Sequence, residues 1–237
     1  MKRRNGFCRR AENMTLWLNC EVVIVYLSRV MLDQNKRDTI KALASPSIFH
    51  GAVEASFKGA RDRRLWRIDT LRGKSCVLIL SEEVPELDGF AAQFGYDGEY
   101  ETKEYGKLLE RIEEGSVWQF RLTANPTYSS TNGDIKRRGK VKAHRTETHQ
   151  REWLIKKAEH NGFFVNDDDF SVSESKFLKF RKRNGDTSSL ISIISVTYEG
   201  VLRVTDKEKF KNALCCGIGR EKAYGMGLMT VMRIGNG

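Results

Sequence analysis

The chain has 237 residues and a formal charge of +10, from 41 Lys and Arg against 31 Asp and Glu. With 40% hydrophobic residues it can bury a core as one large domain or two small ones. So basic a protein points to a polyanion (RNA, DNA or an anionic membrane face), against the plainer alternative of a basic solvated surface. No apolar run approaches the roughly 20 residues of a spanning helix, so a membrane-spanning helix is not expected.

Residues 1–24 read as an N-terminal extension. Met1 to Asn13 is basic and Leu16 to Leu27 is fairly apolar, but Asn19, Glu21 and Arg29 interrupt that stretch and no small-residue cleavage site follows. A signal peptide is therefore not expected. The alternation over 22–34 predicts a first strand. Residues 46–60 predict a helix, with Phe49, Val53 and Phe57 on one face and Pro46 in the first turn. Leu65–Asp69 and Cys76–Leu80 predict two strands, with Arg72-Gly73-Lys74 turning between them. A short helix from Pro85 to Phe94 follows, and Tyr100 to Leu109 has no clear type.

This β-α-β-β-α-β order is the ferredoxin-like signature, and it repeats. Val117–Ala124 predicts a strand, and Thr146–His160 a helix stopped at Gly162. Phe170–Lys182 and Ser188–Val204 predict long strands around an Asn184-Gly185 turn. Thr205-Asp206-Lys207-Glu208 predicts a capping box for a helix to Leu214. A glycine-rich loop and a strand from Leu228 to Met232 end the chain. The expected fold class is α+β, two tandem ferredoxin-like (RRM-like) domains with antiparallel sheets over 25–114 and 115–237, joined near 113–116.

Three features carry candidate chemistry. First, the loop of residues 217–228 brackets Arg220 and Lys222 between Gly217, Gly219, Gly225 and Gly227. Glycines this dense let the backbone approach something closely and expose N–H groups. The order is helix, loop, strand, the reverse of a P-loop or Rossmann turn. The loop is thus a phosphate-contacting loop of another kind or a flexible turn. Second, Lys136, Arg137, Arg138, Lys140, Lys142 and Arg145 crowd a segment between the second domain's first strand and helix. They predict a basic β-hairpin of a shape that enters nucleic-acid grooves, where phosphates attract cations. Third, Lys176–Arg183 alternates cations and hydrophobes, and predicts a strand with its apolar residues inward and a basic outer face.

The histidines, His50, His144, His149 and His160, lack metal-ligand spacing, and the five cysteines (Cys8, Cys20, Cys76, Cys215 and Cys216) lack CxxC spacing. No metal site, no cofactor and no disulfide scaffold are expected, and a reducing cytoplasm fits best. From the residues alone, His50 reads as an ordinary core or surface histidine.

Several stretches then point one way. They are Tyr-Leu-Ser-Arg-Val at 26–30, Ser-Ile-Phe-His-Gly at 47–51, Phe-Arg-Leu-Thr-Ala-Asn-Pro-Thr at 120–127 and Arg-Gly-Lys-Val at 138–141. Trp-Leu-Ile-Lys-Lys-Ala-Glu at 153–159, Tyr-Glu-Gly-Val-Leu-Arg-Val-Thr-Asp at 198–206 and the glycine loop complete the set. In this order they resemble the CasE family, the repeat-cleaving endoribonuclease of type I-E CRISPR systems and a branch of the RAMP superfamily. The resemblance implies two ferredoxin-like domains, binding of the CRISPR repeat RNA hairpin, and metal-independent cleavage at the 3′ base of its stem. Attack by a 2′-OH would leave a 2′,3′-cyclic phosphate, and the protein would stay bound as a subunit of Cascade, with other Cascade subunits as partners and no membrane.

The resemblance also implies that His50 is catalytic and that the basic hairpin over Lys136 to Arg145 enters the stem. It assigns Gly217, Gly219, Gly225 and Gly227 to close RNA approach or to tight packing beside it, and Arg220 and Lys222 to phosphates. Family members often carry a tyrosine three residues before the histidine; here that residue is Ser47. Lys58 is a candidate to stabilise the charged phosphorane. Two other readings fit the residues. A non-catalytic RNA-binding module of the same complex would shift repeat RNA without a product. An unrelated basic ferredoxin-like protein would bind RNA no tighter than any polyanion.

Overall fold

A computed structural model describes residues 24–59, 64–130, 139–184 and 187–234. The N-terminal half runs β1 (Tyr26–Leu32), α1 (Arg37–Ala44), α2 (Pro46–Ala55), β2 (Leu65–Leu71), β3 (Lys74–Ser81), α3 (Asp88–Phe94), β4 (Gly95–Glu104) and α4 (Gly106–Leu109). Its four strands pair antiparallel in the order β2-β3-β1-β4, the ferredoxin-like arrangement. Alternation along β1 and β3 sends Val30, Leu32, Val77 and Ile79 to one face. There Phe49 and Val53 of α2 and Phe90 and Phe94 of α3 close the core.

Two expectations change here. The helix beginning at Pro46 stops at Ala55, so Phe57 lies beyond it, half-buried under the Arg64 guanidinium. A separate helix, α1, precedes it. Ser45 divides the two with φ −137° and ψ 89°, because a residue before proline is pushed out of the helical region. The untyped segment around Tyr100 is the edge strand β4 and the one-turn α4.

The C-terminal half runs β5 (Val117–Ala124), β6 (Thr127–Ser130), β7 (Lys140–Ala143), α5 (Glu147–His160), β8 (Phe163–Phe164), β9 (Phe170–Asn184), β10 (Thr187–Val204), α6 (Lys207–Cys216) and β11 (Met229–Arg233). Short 3-10 turns at Asp167–Asp169 and Lys222–Tyr224 complete it. The order β11-β5-β10, with β9 on the far side of β10, repeats the first sheet's plan, and β8 adds a short pairing. Hairpin β6–β7 stands as its own two-stranded ribbon, where the basic segment was expected to leave the sheet.

The cap of α6 is Asp206 rather than Thr205: its carboxylate accepts from Lys209 N at 3.0 Å. Lys209 then occupies the third helical position and offers no acceptor, so the reciprocal box does not form. In β9, Leu178 and Phe180 turn inward, but Phe177 is 62% exposed. The strand's period of two cannot put neighbouring residues on one face, so Phe177 shares the outer side with Lys179 and Arg181.

The halves share a core. Val25, Leu65, Leu80, Tyr105 and Ile112 from the first pack with Trp118, Leu122, Leu154, Leu214 and Ile218 of the second. The 113–116 segment is pinned to β10, with Gly115 N donating to Val204 O at 2.8 Å and Val204 N to Ser116 O at 2.9 Å. Among the described residues no helix is long and apolar enough to cross a membrane.

Candidate active site and nucleic-acid interface

His50 sits in the second turn of α2, half-buried, one turn after Ser47. The helix is oriented by its apolar side. Phe49 is fully buried, 5.9 Å from the Trp66 ring and 5.2 Å from Phe94, and Val53 lies one turn on. Burying side chains of that size stabilises by about 1.5–3 kcal/mol each, enough to fix the helix's rotation. Ser47, His50 and Glu54 are thereby left on a half-buried flank. Ser47 Oγ lies 3.1 Å from Ser45 Oγ. Glu54 is held at 2.8 Å by Arg64, whose side chain is buried.

The other half of the chain also packs against α2. The Lys222–Tyr224 turn inside the glycine loop lies against α2 and against β2. The loop is closed at its neck by Ile218 N donating to Gly227 O at 2.9 Å, and tied to β5 by Gly227 N donating to Thr123 O at 2.7 Å. Tyr224 is buried edge-on to Phe180, ring centroids 5.0 Å apart, within a cluster with Ile193 and Met226. The loop is thus wedged between α2 and β2 on one side and the long β9–β10 hairpin on the other.

The loop glycines pack closely against the protein's own side chains and backbone. A Cβ on Gly225 would lie 2.9 Å from the Trp66 ring, and one on Gly217 would lie 2.9 Å from the Leu65 methyl groups. A Cβ on Gly219 would lie 3.2 Å from Trp153, and one on Gly227 would lie 2.7 Å from Ile218 O. Gly225 also has φ +79°. Gly225→Ala is therefore expected to destabilise the protein by about 2–5 kcal/mol, from left-handed strain and overpacking together. Gly98→Ala is the control, because φ is +74° there but nothing lies within 4 Å. It should cost only about 1–2 kcal/mol. Urea denaturation of the two variants makes the comparison.

A buried ionic lock joins the halves beside the loop. Arg67 of β2 is 1% exposed. Its Nη1 donates to Arg121 O at 2.8 Å and Leu228 O at 2.9 Å, and its Nη2 to Thr230 Oγ1 at 2.8 Å and to the Asp69 carboxylate. Asp69 also holds Arg121 Nη1 at 3.1 Å, and Arg121 Nε reaches Glu199 at 3.0 Å. Burial pulls the Arg67 guanidinium below the ordinary arginine value, and Asp69 opposes that. Arg67 is not among the residues expected from the sequence, since a cation in a strand ordinarily faces water. The one signal was its place between Trp66 and Ile68, two residues before Asp69 in the same short strand.

The remaining site expectations are distributed as follows. Lys58 lies past the end of α2, 82% exposed and ion-paired with Glu86. Arg220 is exposed at the loop's edge, in an isolated β-bridge with Asn125. Lys222 is part of the turn against α2. Lys140 and Lys142 are exposed on one side of β7, and Arg145 is exposed just beyond it. Lys136, Arg137 and Arg138, like residues 1–23, lie outside the described residues. His144 stacks at the root of the ribbon. Burial, and then neighbouring His149, hold its imidazole below the usual histidine value. Among the described residues no group of three or more His, Cys, Asp or Glu side chains is arranged to hold a metal ion.

The sequence profile described as "CRISPR associated protein" matches residues 25–233, and the chain belongs to that family. Within it the similarity is to the CasE-type branch that the sequence stretches pointed to. The CRISPR-associated endoribonuclease Cse3 of Thermus thermophilus is 28% identical over 217 residues, spanning 87% of this chain and 99% of that protein. A structure of Cse3 bound to a 19-nucleotide RNA superposes with a TM-score of 0.72 at 26% identity, over 88% of this chain and 99% of that one. Thermus thermophilus Cse3 bound to an RNA representing a pre-cleavage complex superposes at 0.71 with 25% identity, over the same shares.

Proposed function

We propose that the protein is an endoribonuclease that processes CRISPR RNA. It binds the repeat hairpin, cleaves at the 3′ base of the stem without a metal ion, and stays bound to its product as a Cascade subunit. The observation that carries the reading is the meeting of α2, with His50, and the Lys222–Tyr224 turn of the glycine loop, in a chain similar to Cse3 over nearly all of that protein's length.

The chemistry asks little of the protein. A 2′-oxygen attacks the adjacent phosphorus, the P–O5′ bond breaks, and the proton lost from the 2′-OH is balanced by one gained at the 5′-oxygen. The product ends in a 2′,3′-cyclic phosphate. An imidazole can take or give those protons near neutral pH, and His50 is assigned that work. Ser47, one turn away, orients the 2′-OH. Charge on the phosphorane calls for a nearby cation. Lys222, whose turn lies against α2, joins Lys58, just past the end of that helix, as a candidate for this role.

Incubation of the protein with its host's repeat RNA in EDTA tests the reading. A single cut with a cyclic 3′ phosphate is expected, and a requirement for added Mg²⁺ would overturn the metal-free mechanism. A shift with no product would favour the non-catalytic RNA-binding module, the reading that Ser47 in place of a tyrosine keeps in play. The ribbon's part is measurable separately. Each phosphate that a cation no longer neutralises reduces the slope of log K against log salt by about 0.7–0.9. Lys140→Ala with Lys142→Ala should lower it by up to just under two units in a salt titration.

A further inference from the structure

Between the root of the β6–β7 ribbon and the glycine loop lies a small open cleft of about 130 Å³, lined by Tyr128, Val141, Trp153, Lys157, Gly219 and Arg220. Its walls are tied together. Asn125, immediately before Pro126 and Thr127, forms a β-bridge with Arg220, which joins the start of the ribbon to the glycine loop. Gly219 lies over Trp153, where a Cβ would come within 3.2 Å of the ring, and the Lys157 amine stands 5.9 Å from that ring's centroid. Tyr128 is 44% exposed yet braced: its ring centroid is 4.8 Å from His144, which in turn stacks on His149 at 5.7 Å and 21°. Lys142 is Tyr128's direct cross-strand partner and is exposed beside it. Among the described residues that line the cleft, none carries a carboxylate.

From this arrangement we infer that the cleft binds one unpaired nucleotide of the RNA next to the stem, its base stacked on Tyr128 and its phosphate held by Arg220 and Lys142. Three physical points select that ligand. The lining combines aromatic rings with cations, the composition that takes a base and its phosphate together. A cavity of about 150 Å³ admits a single benzene-sized ring, so this cleft suits one base and not a base pair. Bases inside a duplex offer no free face to an aromatic side chain, whereas an unpaired base does. The ribbon would then contribute twice, by charge along its strands to the stem and by stacking at its root to the flank. The inference rests on the repeat-hairpin reading above, and adds a part of the RNA that the reading leaves unassigned.

The test compares two repeat hairpins, one blunt and one with unpaired nucleotides on both sides of the stem. Both carry 2′-O-methyl groups, which block attack by the 2′-oxygen. Equilibrium binding is measured for wild type, Tyr128→Ala and Tyr128→Phe. For wild type, the flanked RNA should bind tighter than the blunt one. Tyr128→Ala should lose roughly 5- to 150-fold on the flanked RNA, the range that stacking of one base covers, and little on the blunt one. Tyr128→Phe should keep the ring and the affinity. Equal loss on both RNAs would assign the ring to the stem or to the ribbon's own folding and overturn the inference, as would no loss on either. In both of those cases wild-type binding of the hairpin leaves the processing reading standing. Failure of wild type to bind either RNA would remove the processing reading and the inference together.

Discussion

His50→Ala is expected to reduce repeat cleavage by roughly 10²- to 10⁴-fold, the share that a positioned acid or base contributes to proton transfer, while hairpin affinity stays near wild type. The separation follows from where the groups lie. His50 is on α2 in the N-terminal half, whereas the cations at the ribbon lie on β7 and just after it in the C-terminal half. Removing an imidazole from a half-buried flank leaves the buried side of α2, Phe49 and Val53, untouched, so the helix should hold its place. Single-turnover cleavage and filter binding on the same preparation read the two quantities. Cleavage by the variant at the wild-type rate would end the catalytic assignment. Ser47→Ala should fall less far, because a hydroxyl that orients the 2′-OH takes no proton of its own.

Loss of Arg67 is the second large effect. Arg67→Met should destabilise the protein by about 3–5 kcal/mol, because breaking a buried pair leaves groups without partners. Here those are Asp69, which keeps only the half-exposed Arg121 and the Thr70 N–H, together with the carbonyls of Arg121 and Leu228 and the Thr230 hydroxyl. For a chain of this size about 2–4 °C of Tm goes with each kcal/mol, so thermal unfolding should come about 6–20 °C lower. Arg67→Lys keeps the charge but cannot present the planar fork to all four acceptors, and should fall between. Arg29→Ala is the contrast: its pair with Glu101 is exposed at 38% and 43%, and such pairs contribute about 0–1 kcal/mol. An Arg67→Met variant as stable as Arg29→Ala would dismiss the lock. Below its melting point, Arg67→Met should also lose more in cleavage rate than in RNA affinity. The lock joins β2 to β5 and β11 beside the place where the loop turn meets α2.

Much of the architecture was legible because period and punctuation are local. The alternation over Val117–Ala124 matches β5 residue for residue, and Gly162 and Pro46 stand at a helix end and a helix start. Local signals failed where two rules competed. The helix α1 before Ser45 was not expected from the sequence, and steric exclusion before Pro46 keeps it separate from α2. At Asp206, a carboxylate captured the cap one residue after the threonine that pattern alone preferred. Phe177 was expected inward by its type and faces outward by its register. Tyr128 could not be singled out from the sequence, because an aromatic in a short strand carries no mark of a cleft. The walls of this one come from β6, β7, α5 and the glycine loop.

The amino-acid sequence by itself determined the repeated β-α-β-β-α-β pattern apart from the last strand of its first run, the basic surplus, the glycine loop and the family resemblance. Each is written in neighbouring residues, as spacing, composition or motif. Only the tertiary structure decided what each of these faces. The loop glycines meet Leu65, Trp66 and Trp153, the Lys222–Tyr224 turn meets the helix of His50, and Arg67 reaches a carbonyl 161 residues away. Periodicity tells which side of an element is apolar, but a contact between halves depends on how two sheets pack. That packing is settled by the shared core as a whole and by no stretch of sequence within it.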